Sequence, residues 1–116
     1  MAKLKYKNKK VDRIVKGNIV KFDSIKEAKR YDDLYLLDRG KKISELSLQP
    51  KFVLQDGFRD NTGKKHIAIT YSADFKYIKD GIEIIEDTKG FKTEVYNIKK
   101  KLLLFKYPHL NFIESW

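Results

Sequence analysis

The sequence predicts an α/β fold, a small β-sheet with helices packed on it. Three observations predict it. Ser24-Ile25-Lys26-Glu27 is a capping box that opens a segment with apolar residues at helical spacing. Two apolar runs meet at Asp80-Gly81, a strong two-residue hairpin signal. A second capped segment begins at Thr93, stops at Pro108 and is followed by a short apolar run. The order is helix, three strands with a central hairpin, helix, strand.

The elements follow in chain order. Residues 1–12 read as a flexible basic arm, and 13–116 as one domain. Ile14 to Phe22, broken at Gly17-Asn18, suits a short hairpin or an extended lead-in. The first helix runs from the Ser24 cap to about Arg39, with Gly40 as its stop and Ala28, Tyr31, Leu34 and Tyr35 as its apolar stripe. Glu27 lies in line with Tyr31 and Leu34, so it leans towards the core. Residues 41–50 read as a connector, and Pro50 forbids helix there. Lys51 to Phe58 is a strand, and Asn61-Thr62-Gly63 marks a turn. His66 to Lys79 is a long strand with Ile67, Ile69, Tyr71, Ala73, Phe75 and Tyr77 on one face, and Ile82 to Lys89 returns beside it. The second helix spans Thr93 to about Lys106 with Val95, Ile98, Leu102 and Phe105 inward, and His109 to Ile113 forms the last strand.

Composition narrows the function. The chain is 41% hydrophobic and 13% aromatic over 116 residues, which is globular and excludes wholesale disorder. No apolar run reaches the roughly 18 to 20 residues of a spanning helix, and no signal-peptide pattern opens the chain, so a cytoplasmic setting without membrane association is expected. The absence of cysteine excludes disulfides, thiolate metal sites and cysteine nucleophiles. A formal charge of +10 favours a polyanionic partner. Nucleic acid leads, because no basic amphipathic helix suits a membrane surface. Residues 1–21 hold eight Lys or Arg against Asp12 alone, and a second excess lies at Lys89, Lys92, Lys99, Lys100, Lys101 and Lys106. Each group reads either as a solvated surface or as a phosphate contact.

The hairpin register follows from the turn. With Asp80 and Gly81 as the two turn residues, Lys79 faces Ile82, Phe75 faces Glu86, and Asp74 faces Asp87. Directly opposed side chains stand roughly 4.5 to 5.5 Å apart at Cβ, where two carboxylates repel unless a cation or a proton intervenes. Hard divalent cations take such oxygen ligands, and Mg²⁺ binds through one or two carboxylates with water and phosphate oxygens. Asp87 and Lys89, two residues apart, share a face; Glu86 points the other way and reads as structural unless a bulge exchanges it with Asp87. The plainer reading, acids edging an exposed sheet with Lys89 in a surface salt bridge, accounts for the same residues.

Together these residues resemble the PD-(D/E)xK nuclease superfamily. More narrowly, they resemble a phage and prophage family of small nucleases related to RecU-type Holliday junction resolvases. The phrases that carry the resemblance are Phe22-Asp23-Ser24-Ile25-Lys26-Glu27-Ala28, Leu48-Gln49-Pro50-Lys51-Phe52, Tyr71-Ser72-Ala73-Asp74-Phe75, Glu86-Asp87-Thr88-Lys89-Gly90 and Lys99-Lys100-Lys101-Leu102. The resemblance implies a restriction-endonuclease-like core, a mixed central β-sheet whose hairpin carries the active site, flanked by helices. It implies Mg²⁺-dependent cleavage of DNA phosphodiesters, with Mn²⁺ able to substitute. Asp74 and Asp87 would hold the metal and Lys89 would position water or offset charge. Glu27 would join through a metal-bound water or orient the site, compatible with its place in the capping box. Gln49 is either a further active-site group or a polar residue closing a turn. Lys7, Lys9, Lys10, Arg13, Lys92, Lys99, Lys100 and Lys101 would meet phosphates. The implied substrate is branched or four-way-junction DNA, and the implied assembly a homodimer, since symmetric incision needs two sites. Another nuclease on the same fold (restriction-like, flap or repair) and a non-catalytic DNA-binding module are the alternatives. Tyr71 and Tyr77 read as core, and His66 and His109, with no carboxylate or second histidine at ligand spacing, as non-catalytic.

Overall fold

The Ser24 hydroxyl accepts the Glu27 N–H at 3.1 Å. The helix it caps, α1, spans Ile25–Arg39 in the computed structural model, which describes residues 10–88 and 92–115. Ala28, Tyr31 and Leu34 are buried as the stripe predicts, with Glu27 beside them. Tyr35 departs from that stripe: it is exposed and packs against Arg39. Gly40 follows the helix at φ −80, and the left-handed position falls one residue later, on Lys41.

Before α1, β1 (Val11–Val15) and β2 (Asn18–Phe22) form an antiparallel hairpin, with Lys16 and Gly17 as the turn residues, both at positive φ. The turn is one residue earlier than the Gly17-Asn18 break suggests. After α1, the segment read as a connector holds a strand, β3 (Ser44–Leu48), antiparallel to the strand Phe75–Lys79. Its alternation is hidden by a bulge between Ser44 and Ser47, where Glu45 takes φ +53.

The expected long strand from His66 to Lys79 is three strands. β4 (Lys51–Gln55) pairs with β7 (Ile69–Ser72), β5 (Phe58–Arg59) pairs with β6 (Lys65–His66), and β8 (Phe75–Lys79) pairs with β9 (Ile82–Thr88). The chain changes partners at Ala73-Asp74, where Ala73 N–H turns to the Pro50 carbonyl at 3.0 Å. The shared apolar face is divided accordingly. Phe75 and Tyr77 pack with α1, Tyr71 and Ala73 pack under the second helix, and Ile67 stays exposed.

The main sheet runs β10-β9-β8-β3, and β10 (Phe112–Ser115) lies parallel to β9, so the sheet is mixed. The parallel pair requires a crossover, which α2 (Glu94–Lys106) supplies after its Thr93 cap. The sequence places Val95, Ile98, Leu102 and Phe105 inward, but the structure places all four outward, and Tyr96 and Leu103 face the sheet instead. Polar anchoring accounts for the phase: Tyr96 and, one turn on, Lys100 both bond Glu114 of β10. Three consecutive leucines, Leu102 to Leu104, offer an apolar contact at almost any rotation, so the aliphatic stripe does not decide it.

Candidate active site at the end of strand β9

Strand β9 ends in four consecutive buried residues, Ile85, Glu86, Asp87 and Thr88. Two adjacent carboxylates are buried together because the strand is covered on both faces, by α1 on one and α2 on the other. Neighbouring side chains alternate between those faces, so each acid meets its own set of partners.

Glu86 meets α1. Arg30 donates to it twice, from Nε at 2.5 Å and Nη2 at 3.0 Å, and the Tyr77 and Ser115 hydroxyls donate at 2.7 Å each. Burial alone would raise its pKa; the guanidinium and the two hydroxyls outweigh it, and the carboxyl titrates below its ordinary value. Burial and the neighbouring carboxylate push the Tyr77 hydroxyl up to about 12. Glu86 is thus a neutralised ion pair.

Asp87 faces the other way, as the register predicts. Phe75 is paired with Glu86 and Lys79 with Ile82, the expected pairing; the ladder ends there, and Asp74, one residue before it, meets Asp87 through hydrogen bonds rather than as a ladder partner. The two carboxylates are strapped reciprocally to backbone. Asp87 Oδ1 accepts the Asp74 N–H at 2.9 Å, and Asp74 Oδ2 accepts the Thr88 N–H at 2.7 Å. Backbone amides directed at carboxylates stabilise their charged forms, which offsets part of the repulsion between opposed acids. The second oxygen of Asp87 accepts from the Tyr71 hydroxyl. Tyr71, read as core, is indeed buried, and burial together with the Asp87 carboxylate raises its pKa.

The partner change at Ala73-Asp74 is what opens this strand end. Asp74 is the first residue outside the paired ladder: its N–H still reaches the Glu86 carbonyl at 3.1 Å, while its own carbonyl accepts the Gln49 N–H at 3.0 Å. Gln49, exposed and at φ +52, is therefore fixed beside Asp74 through its backbone.

Sequence reasoning missed Glu114. The last strand was expected to end at Ile113; it continues to Ser115, and Glu114 is the parallel partner of Asp87 on the same face. Its Oε1 accepts from Lys92 Nζ and Lys100 Nζ, each at 3.1 Å, and its Oε2 from the Tyr96 hydroxyl. Burial opposes ionisation, but Tyr96 and the two ammoniums prevail and bring its pKa down to about 2. The Tyr96 and Tyr71 rings pack against each other with centroids 6.2 Å apart, so the contacts run from Asp87 through two tyrosines to Glu114 and the lysines. No sequence signal marks Glu114 or Arg30. Tyr71 carries one, since it shares the Asp74 strand segment.

The donor set suits a hard divalent cation in kind, two carboxylates on neighbouring strands. Among the described residues no group of three or more acids or histidines is gathered to hold a metal. Glu27 belongs to α1, on the Glu86 side of the sheet, and does not complete such a group with Asp74 and Asp87.

The basic residues are distributed unevenly around this strand end. Lys7, Lys9 and Lys89 lie outside the described residues. Lys10 pairs with Asp23 at 2.8 Å, and Arg13 grips Asp32 through two bonds of 2.9 Å. Lys99 is half-buried and Lys101 exposed. Lys26 and Lys29, not singled out in the sequence, line a shallow cleft with Thr88 and Ser115. That cleft brings the N-terminal end of α1 to the end of β9. The N-terminal turn of α2 arrives from the other side, where Tyr96 and Lys92 meet Glu114. Helix N-termini carry a partial positive charge that favours anions. His66, which spacing leaves without a carboxylate, finds Asp60 at 2.9 Å across its own hairpin, in the separate β5–β6 sheet.

Fold and site together define a mixed α/β protein with paired acids at an opened strand end between two helix N-termini. The chain belongs to the family described as protein of unknown function (DUF1064), which matches residues 3–116. No curated protein matches it. Among the described residues no helix is long and apolar enough to cross a membrane.

Proposed function

We propose that this protein is a Mg²⁺-dependent DNA endonuclease with a restriction-endonuclease-like core of the PD-(D/E)xK type. Within that class the reading is a phage-type Holliday junction resolvase, acting in the cytoplasm as a homodimer with one incision per copy. The observation that carries it is the opposition of Asp74 and Asp87 at the strand end, strapped to each other's backbone and flanked by helix N-termini and lysines. Asp74 and Asp87 would hold the metal. Bound there, Mg²⁺, or Mn²⁺ in its place, supplies the charge that polarises a phosphate and lowers the pKa of a water.

The chain's own residues do the rest. The reciprocal amide bonds fix both carboxylates before DNA arrives, so little reorganisation is needed. Tyr71 fixes the rotation of the Asp87 carboxylate. Lys26 and Lys29 on one side and Lys92, Lys99, Lys100 and Lys101 on the other supply charge for the phosphate backbone. Lys89, two residues beyond Asp87, is assigned the water-positioning role, Gln49 a place at the rim beside Asp74, and Glu27 an orienting role from α1.

One observation favours a second reading, a non-catalytic DNA-binding module: both oxygens of Asp87 are already hydrogen-bonded. Cleavage of a mobile four-way junction, compared with linear duplex, flap and single strand, separates the readings. With Mg²⁺ or Mn²⁺ the junction should be nicked and EDTA should stop it. Asp74→Asn and Asp87→Asn should abolish cleavage while retaining DNA binding. Protein that binds junctions at low salt yet cuts none of the four substrates would leave the binding-module reading.

A further inference from the structure

Glu114 stands beside Asp87 on the same face of the sheet, yet the chemistry proposed above gives it no task. Its side chain is 14% exposed, against 36% for Lys92 and 28% for Lys100, so the anion lies inside and the two cations form a rim above it. Two further contacts hold the cluster in place. The Lys100 ammonium sits 5.5 Å over the Phe112 ring, and Tyr96 fixes the far oxygen of Glu114. Glu114 is the strand partner of Asp87, and the packed Tyr96 and Tyr71 rings link the cluster to the Asp87 carboxylate, so it lies at the mouth of the candidate site.

We propose that Glu114 is a counter-ion latch, holding Lys92 and Lys100 at that mouth until the phosphate oxygens of a DNA strand compete for both ammoniums. The inference rests on the DNA-binding reading above and names the residue that controls it. Both ammoniums keep contact with solvent, so the phosphates of a dense polyanion can compete for them. The same pairing withholds charge from sequence-independent binding, because a lysine already neutralised by Glu114 releases fewer counterions when it meets a phosphate. Tyr96 is a positioning residue for the latch: without its bond, Glu114 is free to rotate away from the lysines.

The test is the salt dependence of binding, measured by fluorescence anisotropy on a labelled four-way junction in EDTA, where nothing is cut. Glu114→Gln keeps an acceptor for Tyr96 and removes the charge. It should tighten binding roughly three- to tenfold at low salt and steepen the plot of log K against log salt by about one. The double substitution Lys92→Gln/Lys100→Gln should cost more affinity in the Glu114→Gln background than in the unaltered protein. Glu114→Ala serves in the same cycle should the glutamine variant not fold. An unchanged slope, with lysine costs equal in both backgrounds, overturns the latch. Binding without cleavage would remove the nuclease reading and leave the latch to its slopes. Normal cleavage with a flat Glu114→Gln slope would remove the latch alone, and failure of the unaltered protein to bind would remove both.

Discussion

Arg30→Met separates the structural acid from the chemical one. Arg30 makes two charge-assisted bonds, at 2.5 and 3.0 Å, to a carboxylate that has no solvent exposure. Methionine keeps much of the stem volume and strands the Glu86 charge with only the Tyr77 and Ser115 hydroxyls. Removing one member of a buried pair costs about 3–5 kcal/mol. Because the Arg30 side chain is 29% exposed and two hydroxyls stay in place, the lower end applies, about 3 kcal/mol. With a urea slope of about 1.5 kcal/mol per molar, the unfolding midpoint should fall by about 2 M. The double variant Arg30→Met/Glu86→Leu should recover much of that loss, since an apolar replacement removes the stranded charge.

Acid supplies a second measurement of the same pair. Folding lowers the Glu86 pKa, so its stabilisation is complete above the unfolded carboxyl value of about 4.3 and is lost as pH falls through the folded value. Glu86→Gln should therefore flatten the acid limb of the stability profile. A midpoint shift below about 0.5 M for Arg30→Met, or a double variant no more stable than the single one, would refute this account of Glu86.

Three other outcomes follow from the same structure. Leu103→Ala should cost about 2–5 kcal/mol, whereas Phe105→Ala, at a side chain 86% exposed, should stay within about 0.5 kcal/mol. The reverse order in urea titrations would return α2 to the phase its aliphatic stripe suggests. Gly81→Ala should cost about 1 kcal/mol from backbone conformation alone, because φ is +78 and no atom lies within 4 Å of an added Cβ; a loss above about 3 kcal/mol would mean the hairpin had shifted register. Asp60 accepts from Thr62 and Lys64 amides and pairs with His66, bonds that bring its pKa to about 2. Asp60→Asn should thus speed amide exchange in the β5–β6 hairpin while leaving β8 and β9 protected.

The parts of the fold legible in the sequence are those fixed by interactions between near neighbours. Both helix caps are of this kind, Ser24 bonding Glu27 and Thr93 bonding Tyr96 three residues on. β3 was hidden because its bulge breaks the alternation, and its partner β8 lies beyond four intervening strands. The interruption at Ala73-Asp74 was hidden for a related reason: Tyr71, Ala73, Phe75 and Tyr77 are all buried at alternate positions, so the pattern continues across a change of partner.

For the site, the sequence by itself determined that Asp74 comes beside Asp87 and that Glu86 turns to the opposite face. A two-residue turn with both residues at positive φ leaves the hairpin one register, and a period of two then assigns every side chain to a face. Tertiary structure alone decided what answers each acid. Arg30 reaches Glu86 from 56 residues away, Tyr71 reaches Asp87 from 16, and Glu114 joins only because β10 lies parallel beside β9. The physical reason is range. Steric and hydrogen-bonding rules act over a few residues of chain, whereas the charge that stabilises a buried carboxylate comes from whatever packing brings within about 3 Å.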